Sequence, residues 1–230
     1  MGGRATDTAA PPRPPELPRG AERVALDPAD FVQRVDNSYW PMTPGTVWIY
    51  REAEGDGEEQ RVEVRVTHRR KRVLGIDATV VHDVVSKNGE VKEDTFDWYA
   101  QDRWGNVWYL GERTTEYRKG GASTEGSWEA GVDGAEPGVI LPGRPRVGMA
   151  YRQEYYAGEA EDAGEILSLD GRVDVPYGSF DHVLVTKDFT PLEPDVIERK
   201  FYATGVGPIL EATVSGGSAR AELLRVGRGG

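Results

Sequence analysis

Three histidines, no cysteine and an excess of carboxylates set the limits of this chain's chemistry. Without cysteine there are no thiolate ligands, no cysteine nucleophile and no structural disulfide. His82 is the histidine best placed to act. In GIDATVVHDVV it shares the more apolar side of an alternating segment with Ile76, Ala78, Val80 and Val84. An imidazole there can serve as a general base, or it can be a ring satisfied by a backbone or carboxylate hydrogen bond. His68, beside a run of cations, and His182, after Asp181, read as surface residues. A carboxylate such as Asp97 or Glu154 would complete an acid–base pair with His82, suited to hydrolase or cyclase chemistry. The acidic groups Asp94/Asp97, Glu125/Glu129 and Glu159/Glu161/Asp162 lack calcium-loop spacing and any glycosidase context, so they read as solvated. No phosphate-cradling loop, H-E-x-x-H pair or nucleophile elbow is present, and GSWEAG at residues 126–131 has no central serine. No metal site and no cofactor is indicated.

Aromatic residues are the other candidates. DTFDWYAQDRWGNVWYLGE, residues 94–112, carries three of the six tryptophans. Counting by twos, Phe96 and Trp98 face one side, and Thr95, Asp97 and Tyr99 the other. Beyond the turn, Trp108 and Leu110 share a side opposite Val107 and Tyr109. Both faces therefore carry aromatics. Such a hairpin is either buried on both sides, or one face lines a cavity. The second reading makes Trp98 and Trp108 a ligand-facing wall, with Trp128 above it, Tyr151 and Tyr155 at its rim, and His82 close by. Polar residues alternate elsewhere: Tyr151, Gln153 and Tyr155 against Arg152, Glu154 and Tyr156, and Glu198, Lys200 and Tyr202 against Ile197, Arg199, Phe201 and Ala203. A cross-strand charge network on an outer face accounts for both patterns, and a polar anchor inside a cavity is the alternative.

These residues must be positioned by strands. From Thr46 onward, period-two runs rich in Val, Thr, Tyr, Trp and Ile are separated by short polar or glycine-containing breaks. Asn88-Gly89, Gly105-Asn106 and Asp170-Gly171 read as hairpin turns, which join antiparallel neighbours. The expected fold is all-β, a mainly antiparallel meander of about ten to twelve strands curled into a half-open barrel. Asp27 as N-cap and Pro28 at the first helical position predict one short N-terminal helix carrying Phe31, Val32 and Val35 on one face. Residues 1–26 read as a flexible Pro/Ala/Arg-rich lead-in, residues 27–226 as a single β-rich domain, and residues 227–230 as a tail. Residues 123–148, crowded with glycine and proline, read as a long irregular loop, a lid or wall across one end of the sheet.

A net charge of -11 and a pI near 4.9 argue against nucleic acid and against anionic membrane surfaces as partners. The basic run from His68 to Arg72 reads as a solvated turn. No apolar stretch is long enough to span a membrane. The N-terminus shows no apolar core before a cleavage site, so the chain is either a secreted or envelope protein whose signal has been removed, or cytoplasmic.

One segment resembles a known group. VDVPYGSFDHVLVTKDFTPLEPDVIERKFYATGVGPILE, residues 173–211, is similar to the uncharacterised bacterial TapB-type, DUF3108-like families, with their Pro-x-Gly turn and glycine-rich closing hairpin. YWPMTPGTVWIYRE and GNVWYLGE look like the matching first strand and central hairpin, and the whole resembles hypothetical proteins of actinobacteria. The resemblance implies a half-open antiparallel barrel of the LolA-like, lipoprotein-carrier type that holds an apolar ligand. Thr204 stands where such sequences often have proline, and no catalytic residue comes with the resemblance. The expected function is a non-enzymatic binding module for a small apolar or lipid-like ligand in the concave face of the sheet. The alternatives are an enzyme using the same cavity through His82 and a carboxylate, or a purely structural role.

Overall fold

The architecture is that of a computed structural model, which describes residues 14–55, 57 and 59–229. A single 3-10 turn at Pro28–Asp30 stands where a helix was expected; Asp27 caps it by accepting from the Ala29 N–H. The helix stops there because Phe31 and Val32 are drawn into strand pairing, opposite Asp102 and Gln101. Phe31 then packs edge-on to Trp108 at 6.5 Å.

The strands run β1 Phe31–Val32, β2 Thr46–Glu54, β3 Gln60–Val73, β4 Ile76–Lys87, β5 Glu90–Asp102 and β6 Val107–Arg113. Short pieces follow: β7 Glu116–Arg118, β8 Gly121–Ser123, β9 Trp128–Glu129, β10 Glu136–Leu141, β11 Ala150–Arg152 and β12 Glu154–Tyr155. Long strands return with β13 Ala163–Val175, β14 Gly178–Phe189, β15 Ile197–Ala203, β16 Gly207–Ser215 and β17 Ala219–Arg228. Their pairings are antiparallel, and the meander closes on itself where β17 lies along β2 from Ala219–Glu54 to Arg228–Thr46. The result is a nearly closed barrel with one seam, tighter than the half-open form expected.

The seam falls between β10 and β13. Around Gln153 the chain changes partner: β11 pairs with β13, whereas β12 pairs with β10. This corrects the reading of residues 123–148 as an irregular lid, because β10 within them is a barrel strand paired with β6. Its glycine content reflects close packing: a Cβ on Gly138 would collide with the Gln153 backbone. Two further punctuation marks were misread. Asp170-Gly171 is a bulge inside the continuous strand β13, pressed against Val185, and the true hairpin lies at Pro176-Tyr177. The basic run from His68 to Arg72 is strand, not turn, lying in β3 beside a bulge. Asn88-Gly89 does form a hairpin turn, with φ of 54° and 81°.

Of the lead-in expected over residues 1–26, residues 1–13 lie outside the described residues. Residues 14–26 are strapped to the barrel across the seam. The Arg152 guanidinium donates to the carbonyls of Gly20, Glu22 and Pro137, and the Arg152 N–H donates to Pro18. Among the described residues, no helix is long and apolar enough to cross a membrane.

A candidate site in the barrel lumen

Strand alternation sends two different sets of side chains to the two faces of the wall. On β4 and β5, Val81, Asp83, Val85, Asp97 and Tyr99 turn inward, where they meet Tyr50 and Val62 from the adjoining β2 and β3, and Lys200, Tyr202 and Glu211 from β15 and β16. Together they line a lumen cavity of about 320 Å³. Its floor is aromatic. Trp48 donates its indole N–H to the Val206 carbonyl at 2.7 Å, and Trp40 tilts against Tyr99 and Tyr202 at 5.3 and 6.2 Å. Gly207, at φ 111°, lies so close that a Cβ would sit 3.1 Å from Trp48 and 3.2 Å from Trp40. In the Gly-Val-Gly punctuation of the closing hairpin, Gly207 therefore has a packing cause, whereas Gly205, at φ 76° and in open space, serves the backbone turn.

The walls above that floor carry charge. Lys200 lies 3.3 Å from Asp188 and 3.6 Å from Glu211. Burial works against its positive charge, but Glu211 and Asp188 outweigh it and hold the ammonium above the usual lysine range. Burial, with Lys200 opposing, pushes Glu211 up to about 7. Asp97, 8% exposed, is likewise pushed to about 7, by burial first and then by Glu112. The Tyr109 hydroxyl sits 2.7 Å from Asp97 Oδ1 and 2.6 Å from Glu112 Oε2. A phenol has one proton to donate, so both contacts are hydrogen bonds only when one of the two carboxyls is protonated. Glu112 also lines a groove on the outer wall. Asp97–Tyr109–Glu112 is thus a hydrogen-bonded path of enclosed groups along the paired strands β5 and β6. Further along, burial raises Glu154 and Asp162, which also feel each other.

The residues singled out from sequence are not brought together. Trp98 and Trp108 do share a face, but it is the outer one. Trp98 lines the outer groove, about 530 Å³, with Phe96, Trp128 and Arg113, and the Lys71 ammonium sits 4.4 Å over its ring. Trp108, 1% exposed, is fixed in the core by an indole N–H bond to Asp102 Oδ2 at 2.9 Å. Trp128 joins the groove and donates to Glu154 Oε2 at 2.8 Å. Tyr151 is fully buried with an unpartnered hydroxyl, rather than standing at a rim. Tyr155 lies under the Arg152 guanidinium at 5.7 Å, on a different outer surface. His82 faces outward, stacked on Phe96 at 4.2 Å and bonded through Nε2 to Asp94 Oδ1 at 2.6 Å. Asp97 faces the lumen, so the proposed His82–Asp97 pair is separated by the sheet itself: Val81 stands opposite Asp97, and His82 opposite Phe96.

Sequence reasoning passed over Tyr50, Asp83 and Glu211, and assigned Lys200 to an outer charge network. The signal lies in the sequence. Glu198, Lys200 and Tyr202 alternate with Ile197, Arg199 and Phe201, and it is the polar set that lines the cavity. Among the described residues, no three His, Asp or Glu side chains converge to hold a metal ion.

No family model matches the chain, and no curated protein matches it. Among solved structures, the chain is similar to a protein of Bacteroides fragilis assigned as exported, with a YmcC-like fold. The identity is 13% and the TM-score 0.48, over 84% of this chain and all of that one. It is also similar to a protein of Parabacteroides distasonis assigned as a lipoprotein, at 12% identity and TM-score 0.46, over 83% of this chain and 99% of the other.

Proposed function

We propose that the protein is a non-enzymatic binding module that holds a small ligand in the barrel lumen. One observation carries this reading: an aromatic-floored cavity of about 320 Å³ with a few convergent polar groups. That volume is at the lower end of small-molecule sites, about 300–1,000 Å³, and the mixed lining is typical of them. The polar walls narrow the ligand class expected from sequence. A bare acyl chain would leave the enclosed Asp83 Oδ1 without a partner, which is costly in a desolvated site. An amphipathic molecule, apolar against Tyr50, Val62 and Tyr99 and polar toward the carboxylates, fits better. The TapB-type, DUF3108-like resemblance supports the same class of activity and an envelope or extracellular setting.

The test is titration with N-phenyl-1-naphthylamine, a neutral fluorophore that brightens in apolar sites. Saturable enhancement is expected, and Ala221→Trp, which plugs the cavity wall, should weaken it at least tenfold. Trp98→Ala, on the outer groove, should leave it unchanged. Saturable binding lost in Trp98→Ala and retained in Ala221→Trp would move the site outside the barrel.

The Asp97–Tyr109–Glu112 path favours a second reading, an enzyme using Asp97 as its acid or base. A carboxyl titrating near neutrality and bonded to a phenol is suited to proton transfer. In that reading Asp97 takes the role that the sequence suggested for His82.

A further inference from the structure

Resting on the lumen-binding reading, we infer that the ligand carries an organic cation, an ammonium group, anchored by Asp83 and enclosed by the tyrosine walls of the cavity. Asp83 Oδ1 is shut off from solvent and has no hydrogen-bond partner. The side chain lies on the cavity wall between Val81 and Val85, so the unpartnered oxygen belongs to the lumen. The charged groups around it are of one sign: Asp97 and Glu93 from β5, Glu52 from β2 and Glu211 from β16. The two cations that line the cavity are paired with other carboxylates, Lys200 with Asp188 and Glu211, and Arg220 with Glu222. An enclosed carboxyl oxygen with no partner, among acidic neighbours and with Lys200 and Arg220 paired to other carboxylates, is a place that a cationic group complements.

The class of cation follows from the walls. The carboxylates are spread along the barrel rather than convergent, and no described trio can hold a metal ion. Tyr50, Tyr99, Tyr202 and Trp40 offer aromatic surfaces to the same space. The Tyr50 hydroxyl is spent on the Pro208 carbonyl at 2.8 Å, which leaves its ring as the recognition surface. Aromatic faces attract alkylammonium groups whose charge is diffuse and weakly hydrated. An anion is disfavoured, since five lining carboxylates, Glu52, Asp83, Asp97, Glu198 and Glu211, stand against Lys200 and Arg220. Burial first, and then its acidic neighbours, raise Asp83 well above the carboxylate range. An incoming cation favours the ionised form and so competes with a proton for Asp83.

The experiment is calorimetric titration of the full chain with choline and with its neutral isostere 3,3-dimethylbutan-1-ol. Choline should bind at least tenfold more tightly than the alcohol at pH 8. Its affinity should fall as pH is lowered to 6, with proton release seen as a buffer-dependent heat. Asp83→Asn, which keeps shape and removes charge, should weaken choline at least tenfold and leave the alcohol unchanged. Glu211→Gln supplies the same comparison if Asp83→Asn fails to fold. Equal affinities for the two probes, or an alcohol that binds where choline does not, would overturn the cation and leave the cavity reading standing. If neither probe binds and N-phenyl-1-naphthylamine fails as well, both readings fall.

Discussion

At the scale of single residues, the lumen holds several carboxyls in environments that favour their neutral form. Asp97 is the clearest, raised from 3.8 to about 7 by burial and by Glu112. The sign of its effect on stability follows from proton counting. Between about pH 4 and 7 the unfolded chain has lost this proton while the folded barrel keeps it, so stability falls as pH rises through that window. One such group contributes at most about 1.4 kcal/mol per pH unit. The barrel should therefore be more stable at pH 5 than at pH 8 in urea denaturation. Asp97→Asn should flatten that dependence and gain on the wild type at pH 8. An unchanged slope in Asp97→Asn would show that Asp97 is ionised throughout. The mutual placement of Asp97 and Tyr109 was half visible in the sequence, where period-two counting put Asp97 with Tyr99 and Tyr109 with Val107. What pairing added was register: Tyr99 stands opposite Tyr109, and their rings stack at 4.8 Å.

At the scale of elements, the seam strand β10 shows how misleading composition can be. Glycine and proline in residues 123–148 suggested a loop, because both weaken a strand considered alone. In the barrel, Gly138 is required by the Gln153 backbone that crosses it, and Arg152 clasps the Pro137 carbonyl at 2.7 Å. Gly138→Ala should cost about 1–3 kcal/mol by overpacking. For a chain of this size that lowers the melting temperature by roughly 2–4 °C per kcal/mol. Gly134→Ala, next to β10 and with open space around its Cα, is the control, its penalty limited to backbone strain at φ 86°. Equal melting temperatures for wild type and Gly138→Ala would show that the seam is loosely packed. Hairpins with a local cause were legible, as at Asn88-Gly89, where the turn chemistry lies in the two residues themselves. Gly171 was not, because its cause is Val185 on the next strand.

At the scale of the molecule, closure joins the first long strand to the last. Nine register pairs link β2 with β17, residues more than 160 positions apart in the chain. Such non-local pairing must form late and all together, because loop closure is costly until the whole circuit is made. Denaturant unfolding should therefore be a single transition, with far-ultraviolet circular dichroism and tryptophan fluorescence superimposing. Two separated transitions would divide residues 27–226 into independent units and overturn the expectation of one domain.

The sequence by itself determined what depends on neighbours along the chain: the period-two strands, several of the turns, the absence of thiol chemistry, and which side chains share a face. Alternation is set by backbone geometry, so Trp98 and Trp108 were correctly placed together, as were Lys200 and Tyr202. Only the tertiary structure decided which face was inside. A strand exposes two equivalent sets of side chains until the sheet curls, and curvature is settled by closure between β17 and β2 and by the crossing at Gln153. Closure turned the face shared by Trp98 and Trp108 outward, while Trp40 lines the lumen. It enclosed Asp83, Asp97, Lys200 and Glu211, whose charges suggested the opposite, because the lumen gives Lys200 and its carboxylates one another as partners.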